Sequence, residues 1–184
     1  MANNTPILQK SIFLLPLISS LFLNQPLTHL SGHNPRLYKK SSGQWDLSPV
    51  HEQVATNDHQ IIKLGDKLSG RIVPPLFHYS HRTIGSYLIK MHTYTTLEAK
   101  HMLLTKRHRS GRVYLPTFLL PYRLFVRQLV KLLFYRRGFL DGITGDLWCI
   151  LSAYYEFAMA KKYYHLSRSA RSAPVKSAPD QPLK

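Results

Sequence analysis

The chain is poor in cysteine, with Cys149 the single one among 184 residues. An internal disulfide is therefore excluded, which agrees with a reducing compartment without requiring one. Acidic residues are scarce as well, nine against 25 Lys and Arg, for a formal charge of +16. Such an excess implies a polyanionic partner: nucleic acid, anionic lipid headgroups or a phosphorylated substrate. No Gly-rich phosphate loop, Gly-x-Ser-x-Gly elbow or Cys-x-x-Cys pair occurs, so the commonest nucleotide, acyl-transfer and redox motifs are missing. The ten His residues are scattered without the Cys/His spacing of a zinc site.

The first apolar run, Ser11 to Leu23, follows Lys10, spans 13 residues and contains Pro16. A membrane-spanning helix needs roughly 20 residues. The run has the length of a signal-peptide core, but no small-x-small cleavage site follows it. Residues 1–32 are read first as the remnant of a longer reading frame, and second as a membrane anchor.

What the chain does have is a large apolar fraction, 44%, enough for a core in one domain with appendages. Residues 33–82 are rich in Gly, Pro and His. They carry short β-like runs, Arg36-Leu37-Tyr38 and Gln60-Ile61-Ile62-Lys63-Leu64, with a hairpin connection at Gly65–Gly70. Pro74 and Pro75 should confine the next extended piece, Leu76 to Tyr79, to an edge or a strand start. From Thr83 to Arg109 the apolar positions Ile84, Tyr87, Leu88, Met91 and Ala99 follow helical steps, with Thr83 as N-cap and Gly111 just past the end. A second helix is expected over Pro121–Arg136 and a third over about Asp146–Tyr164, with a break at Gly138–Gly145. Cys149, inside Leu147-Trp148-Cys149-Ile150-Leu151, reads as a buried small hydrophobe. The tail from Ser167 has a disordered composition.

Three constellations could carry chemistry. Arg123, Arg127 and Lys131 recur every four residues and form one stripe on the second helix, extended by Arg136-Arg137 among Phe134, Tyr135 and Phe139. A broadly apolar helix with a cationic edge suits the lipid headgroup layer. An ordinary amphipathic helix with solvated charges gives the same pattern. Glu52 in Val50-His51-Glu52 could act as a general base, with His51 as a contact for a divalent metal or a phosphate; a solvated charge beside a surface imidazole is the plain alternative. His78-Tyr79-Ser80-His81-Arg82 is either a phosphate-contacting cluster or a capping and surface one. The basic residues alternate with a heavy apolar load, which suits lipid better than nucleic acid.

The order Arg36-Leu37-Tyr38-Lys39-Lys40, Gly43-Gln44-Trp45 and Val50-His51-Glu52 resembles the second half of family 2 glycosyltransferases. The likeness continues through Leu76-Phe77-His78-Tyr79-Ser80, Tyr94-Thr95-Thr96-Leu97-Glu98-Ala99, Arg136-Arg137-Gly138-Phe139-Leu140-Asp141-Gly142 and Leu151-Ser152-Ala153-Tyr154-Tyr155-Glu156-Phe157. It covers roughly residues 33–166 and is nearest to lipopolysaccharide core sugar transferases of Gram-negative bacteria.

The resemblance implies an α/β chain. Residues 33–82 would be the C-terminal part of a GT-A-like catalytic domain with short strands. Residues 83–166 would be a helical, membrane-associated appendage, with 1–32 an apolar leader and 167–184 a tail. It further implies a nucleotide-sugar donor, a lipid-linked envelope acceptor, a divalent metal (Mg or Mn), and a peripheral place at the cytoplasmic face of the inner membrane. By position Glu52 would be the base or an acceptor-site carboxylate, His51 a metal or diphosphate contact, and Arg36 and His78 substrate or phosphate contacts. The family's opening strand pattern and its Asp-x-Asp are not present in the chain. A truncated or split product, inactive alone, is therefore expected. The alternative is a non-enzymatic, basic membrane-surface protein.

Overall fold

The computed structural model describes residues 13–33, 37–45, 54–57 and 69–172. The expected sites Arg36, His51 and Glu52, the expected strand Gln60–Leu64, residues 65–68 of the expected hairpin and the end of the tail beyond Ser172 lie outside the described residues, while Ser69 and Gly70 belong to a strand.

The apolar run near the start is a strand, β1 (Phe13–Phe22), and it organises a mixed sheet. On one side it pairs antiparallel with three short strands in succession: β2 (Gln25–Pro26), β3 (Gly32–His33) and β4 (Leu37–Tyr38). On the other side it pairs in parallel with β7 (Ser69–His81). The run read above as a remnant or an anchor is thus a strand over Phe13–Phe22. A run this short is not distinguishable by periodicity from a helix or a signal core, and its parallel partner lies far along the chain. The boundary expected at residue 32 is also crossed by the sheet, because β1 pairs with strands on both sides of it. A separate antiparallel pair joins β5 (Gly43–Trp45) to β6 (Val54–Thr56).

Leu23 and Asn24, both with positive φ, form the two-residue turn from β1 to β2, as a primed hairpin turn requires. Pro74 and Pro75 lie inside β7, which among the described strands pairs only with β1 and is thus the edge strand expected here. They fall where the register slips, between Pro16↔Ile72 and Ile18↔Leu76. Proline lacks the N–H a regular ladder needs, and a bulge tolerates it.

From β7 the chain turns directly into α1 (Ile84–Thr105), whose N-cap is Thr83, with its hydroxyl accepting from the Ser86 N–H at 3.1 Å. The helix stops short of the expected Arg109 because Lys106 turns left-handed and donates its N–H to the Met102 carbonyl. Residues 107–113 then fold back as a narrow loop, bridged at Arg107↔Val113, with the His108 N–H on the Arg112 carbonyl at 2.9 Å. Gly111, at φ +77, supplies the left-handed position of the turn.

The second helix, α2 (Leu120–Val130), carries Pro121 in its first turn, where no intrahelical donor is lost. It passes into a π turn at Lys131–Tyr135 and, after Arg136 and Arg137, a 3-10 turn at Gly138–Asp141. The third helix, α3 (Gly142–Ser172), starts earlier and ends later than expected, so the segment from Ser167 to Ser172 is helical rather than disordered.

Two apolar clusters hold these parts together. Ala99, Met102, Leu120, Leu124, Met159, Ala160 and Tyr163 form the three-helix core. Phe22, Leu27, Tyr87, Met91 and Tyr155 join the sheet to α1 and α3, with Trp148 edge-on to Phe22 at 5.1 Å. Cys149 is fully buried, as expected, and its thiol pKa is pushed up to about 11 by burial, with Asp146 and Asp141 adding to it. Gly138 and Gly145 face each other at the helix junction. A Cβ on Gly145 would strike the Gly138 carbonyl oxygen, and one on Gly138 would strike the Cys149 sulfur. Asp141 ties the same junction to the β2–β3 connection by accepting from the Thr28 N–H (3.1 Å), the Thr28 hydroxyl (2.7 Å) and the His29 N–H (3.1 Å).

Candidate functional site

The most unusual surface lies on α2 and the turns around it. Phe118, Tyr122, Val126, Val130 and Phe134 recur every fourth residue, and each is 49% to 64% exposed. Every fourth residue on a helix falls on one ridge. The core takes only Leu120, Pro121 and Leu124 from this helix, so the ridge stays largely uncovered although Tyr122 touches Phe157 and Phe118 touches Tyr164 of α3. Tyr135, Phe139, Leu140 and Ile143 extend the apolar exposure through the turns that follow. An uncovered apolar strip of this extent marks an interaction surface.

The neighbouring row holds the cations. Arg123 and Lys131 are exposed. Arg127 between them departs from the expected solvated stripe: it is half-buried, donates to the Tyr114 hydroxyl and lies 5.7 Å from the centre of that ring. The stripe is thus two outward charges flanking one that pins α2 to the strand-like segment before it. Arg136 is exposed and donates to the Ser31 carbonyl, and Arg137 stands at a left-handed position. His78 lies exposed on β7, remote in sequence from the ridge.

A buried ionic cluster that the sequence reading missed fixes the loop after α1. Glu156 on α3 accepts from His108 Nε2 at 3.1 Å and from Arg109. Arg109 also donates to Glu98 on α1 at 3.2 Å and sits 5.0 Å over the Tyr155 ring. His108 Nδ1 accepts the Ser110 N–H at 3.1 Å, which leaves Nε2 to carry the hydrogen toward Glu156. Burial alone would raise the Glu156 pKa, but the hydrogen bond from His108 and the charge of Arg109 outweigh it and hold the carboxyl below its ordinary value. Burial also pushes the Tyr87 phenol up to about 12. The hint available in the sequence was the placement of Glu98 and Glu156, each a lone acid within an apolar helical face.

Beside it, α1 and α3 enclose a cleft of about 320 Å³. Its lining includes the apolar Met91, Tyr154 and Phe157 and the polar His92, Lys161, Lys162 and His165. Lys162 clamps the two helices, donating to the His92 carbonyl (2.8 Å) and to the hydroxyls of Thr95 (2.9 Å) and Thr96 (2.7 Å).

Among the described residues, no three His, Cys, Asp or Glu side chains converge to hold a metal ion, and no helix is long and apolar enough to cross a membrane. No protein-family model, curated protein or solved structure matches the chain.

Proposed function

We propose that this chain is a peripheral protein of an anionic membrane surface. In keeping with its resemblance to family 2 glycosyltransferases, it would serve sugar transfer to a lipid-linked envelope acceptor such as the lipopolysaccharide core, at the cytoplasmic face of the inner membrane. The carrying observation is the exposed apolar row Phe118–Tyr122–Val126–Val130–Phe134 beside Arg123 and Lys131, with Arg136 and Arg137 at its end. Apolar side chains of this kind gain by leaving water for the acyl boundary, while the cations meet lipid phosphates. The chain's charge of +16 favours the same partner.

The transfer chemistry rests on the resemblance alone. Glu52 would take the proton from the acceptor hydroxyl or hold the acceptor, with His51 and Arg36 toward the donor diphosphate and a divalent metal. A non-enzymatic surface protein would use the same ridge. Two measurements separate these readings. Co-sedimentation with anionic but not zwitterionic vesicles, reversed by detergent and only partly by salt, supports the membrane reading; salt-complete release or no pelleting refutes it. Thermal protection by a UDP-sugar with Mn²⁺, lost in Glu52→Gln, supports the transferase reading. A chain indifferent to every nucleotide-sugar supports the non-enzymatic one.

A further inference from the structure

The α1–α3 cleft is not accounted for by a membrane-facing ridge alone, and its lining has a definite chemical character. No acidic side chain lines it; its polar groups are His92, Lys161, Lys162 and His165. The Lys162 ammonium spends its three N–H groups on neutral oxygens, so its charge is held in place without being cancelled. Lys161 has no hydrogen-bond acceptor among the described residues; its ammonium lies 6.0 Å from the Phe157 ring centre. Lys161 and His165 are exposed at the rim. Two ammonium groups and two imidazoles around one opening suit an anion with several acceptor oxygens.

Aromatic rings line the cleft on the same helix, α3, that carries Lys161 and His165. Tyr154 and Phe157 lie nearly parallel, 15° apart with ring centres at 6.0 Å. Phe157 then meets Tyr122 of α2 at 5.4 Å, and Tyr122 meets Phe118 at 5.8 Å. Tyr122 and Phe118 are members of the exposed apolar row. The cleft and the ridge are therefore one continuous surface, cationic at one end and aromatic along its length. At about 320 Å³ the cleft is at the small end of ligand pockets. It accommodates a headgroup, not a whole lipid.

We infer that this cleft binds the phosphate-bearing headgroup of a membrane lipid, with the acyl chains running along Phe157, Tyr122 and Phe118 into the ridge. Lys161 and His165 contact the phosphate, and Lys162 contributes field while it holds α1 against α3. The direction of the acyl chains rests on the membrane reading above; the phosphate site does not.

The test uses the full chain and dihexanoyl phosphatidic acid below its micellar concentration, followed by calorimetry. The wild type should bind, and Lys161→Gln/His165→Gln should bind at least tenfold more weakly, with an unchanged melting temperature because both side chains are exposed. Val126→Ser/Val130→Ser should keep the short-chain lipid affinity and lose pelleting with anionic vesicles. Equal affinity of wild type and Lys161→Gln/His165→Gln overturns the proposal, as does no binding by either. Inorganic phosphate bound as tightly as the short-chain lipid would identify a free-phosphate site and overturn the lipid assignment. If Val126→Ser/Val130→Ser still pellets with vesicles, the ridge reading fails, while a loss confined to the Lys161/His165 variant still upholds the phosphate site.

Discussion

Glu156 and His108 lie 48 residues apart in sequence and 3.1 Å apart in space, both almost fully buried. Their contact, with Arg109 on the other carboxylate oxygen, welds the loop after α1 onto the middle of α3. That weld keeps the Tyr114 segment in place, which in turn holds Arg127 and with it the orientation of α2. The outward presentation of the apolar row thus depends on a buried, hydrogen-bonded carboxylate on α3.

Removing Glu156 should therefore destabilise the whole helical unit. Glu156→Ala leaves Arg109 and His108 without their shared acceptor, and breaking a buried pair by deleting one partner costs about 3–5 kcal/mol. Urea unfolding should give an unfolding free energy lower by that order, with Arg109→Ala affected less because its side chain is 32% exposed. A Glu156→Ala midpoint equal to the wild type would show that the pair is not coupled to the fold.

The same carboxyl makes stability depend on acid. Its folded pKa lies below the unfolded one, so its contribution is fully present above about pH 4.3 and is lost as pH falls through the lowered folded value. Asp141 behaves alike: burial raises its pKa, but the hydrogen bonds from Thr28 and His29 outweigh that and lower it. Thermal unfolding scanned from pH 6 to 3 should show stability falling below about pH 4.3, and Glu156→Gln should flatten that slope. An undiminished slope in Glu156→Gln assigns the acid sensitivity elsewhere.

Gly145→Ala should be costly for a different reason. Its Cβ would collide with the backbone of Gly138 and with Asp141, and forcing such a contact costs about 1–3 kcal/mol. Gly85→Ala in the first turn of α1 meets nothing closer than 4.0 Å and should be neutral or mildly stabilising. Differential scanning calorimetry of the two variants measures the contrast; equal melting temperatures would contradict the close approach.

Local features of the fold were legible, and non-local ones were not. The Thr83 cap, the start of α1, the helix at Pro121, the glycine break and the burial of Cys149 all follow from signals within a few residues. The strand β1 was not legible, because its apolar pattern gains meaning only from a parallel partner supplied by β7. The end of α1 was misjudged for a related reason: Lys106 to Gly111 read as a basic helix terminus, while the buried carboxylates of Glu98 and Glu156 draw His108 and Arg109 into a loop. The cationic stripe was placed correctly on one helix, yet Arg127 turned inward because Tyr114, from a separate segment, offers both a hydroxyl and a ring face. Glu52, His51 and Arg36 lie outside the described residues.

The cationic row should set the salt dependence of membrane binding. Arg123→Gln/Lys131→Gln removes two exposed charges at about 1 kcal/mol each near an anionic surface, so the vesicle partition coefficient should fall roughly thirtyfold at low salt and less at high salt. Partition measured against ionic strength checks this; a salt-independent loss would mean that the two residues act through packing instead.

The account turns on whether the α2 ridge enters lipid. A nitroxide placed on Val130→Cys, with Cys149 buried and unreactive, reports this directly by its accessibility to a water-soluble relaxation agent. On adding anionic vesicles the label should lose access to the aqueous agent and gain access to dissolved oxygen, while a label at Lys100→Cys on α1 stays aqueous. A Val130 label that remains as water-accessible on vesicles as in buffer would contradict the account.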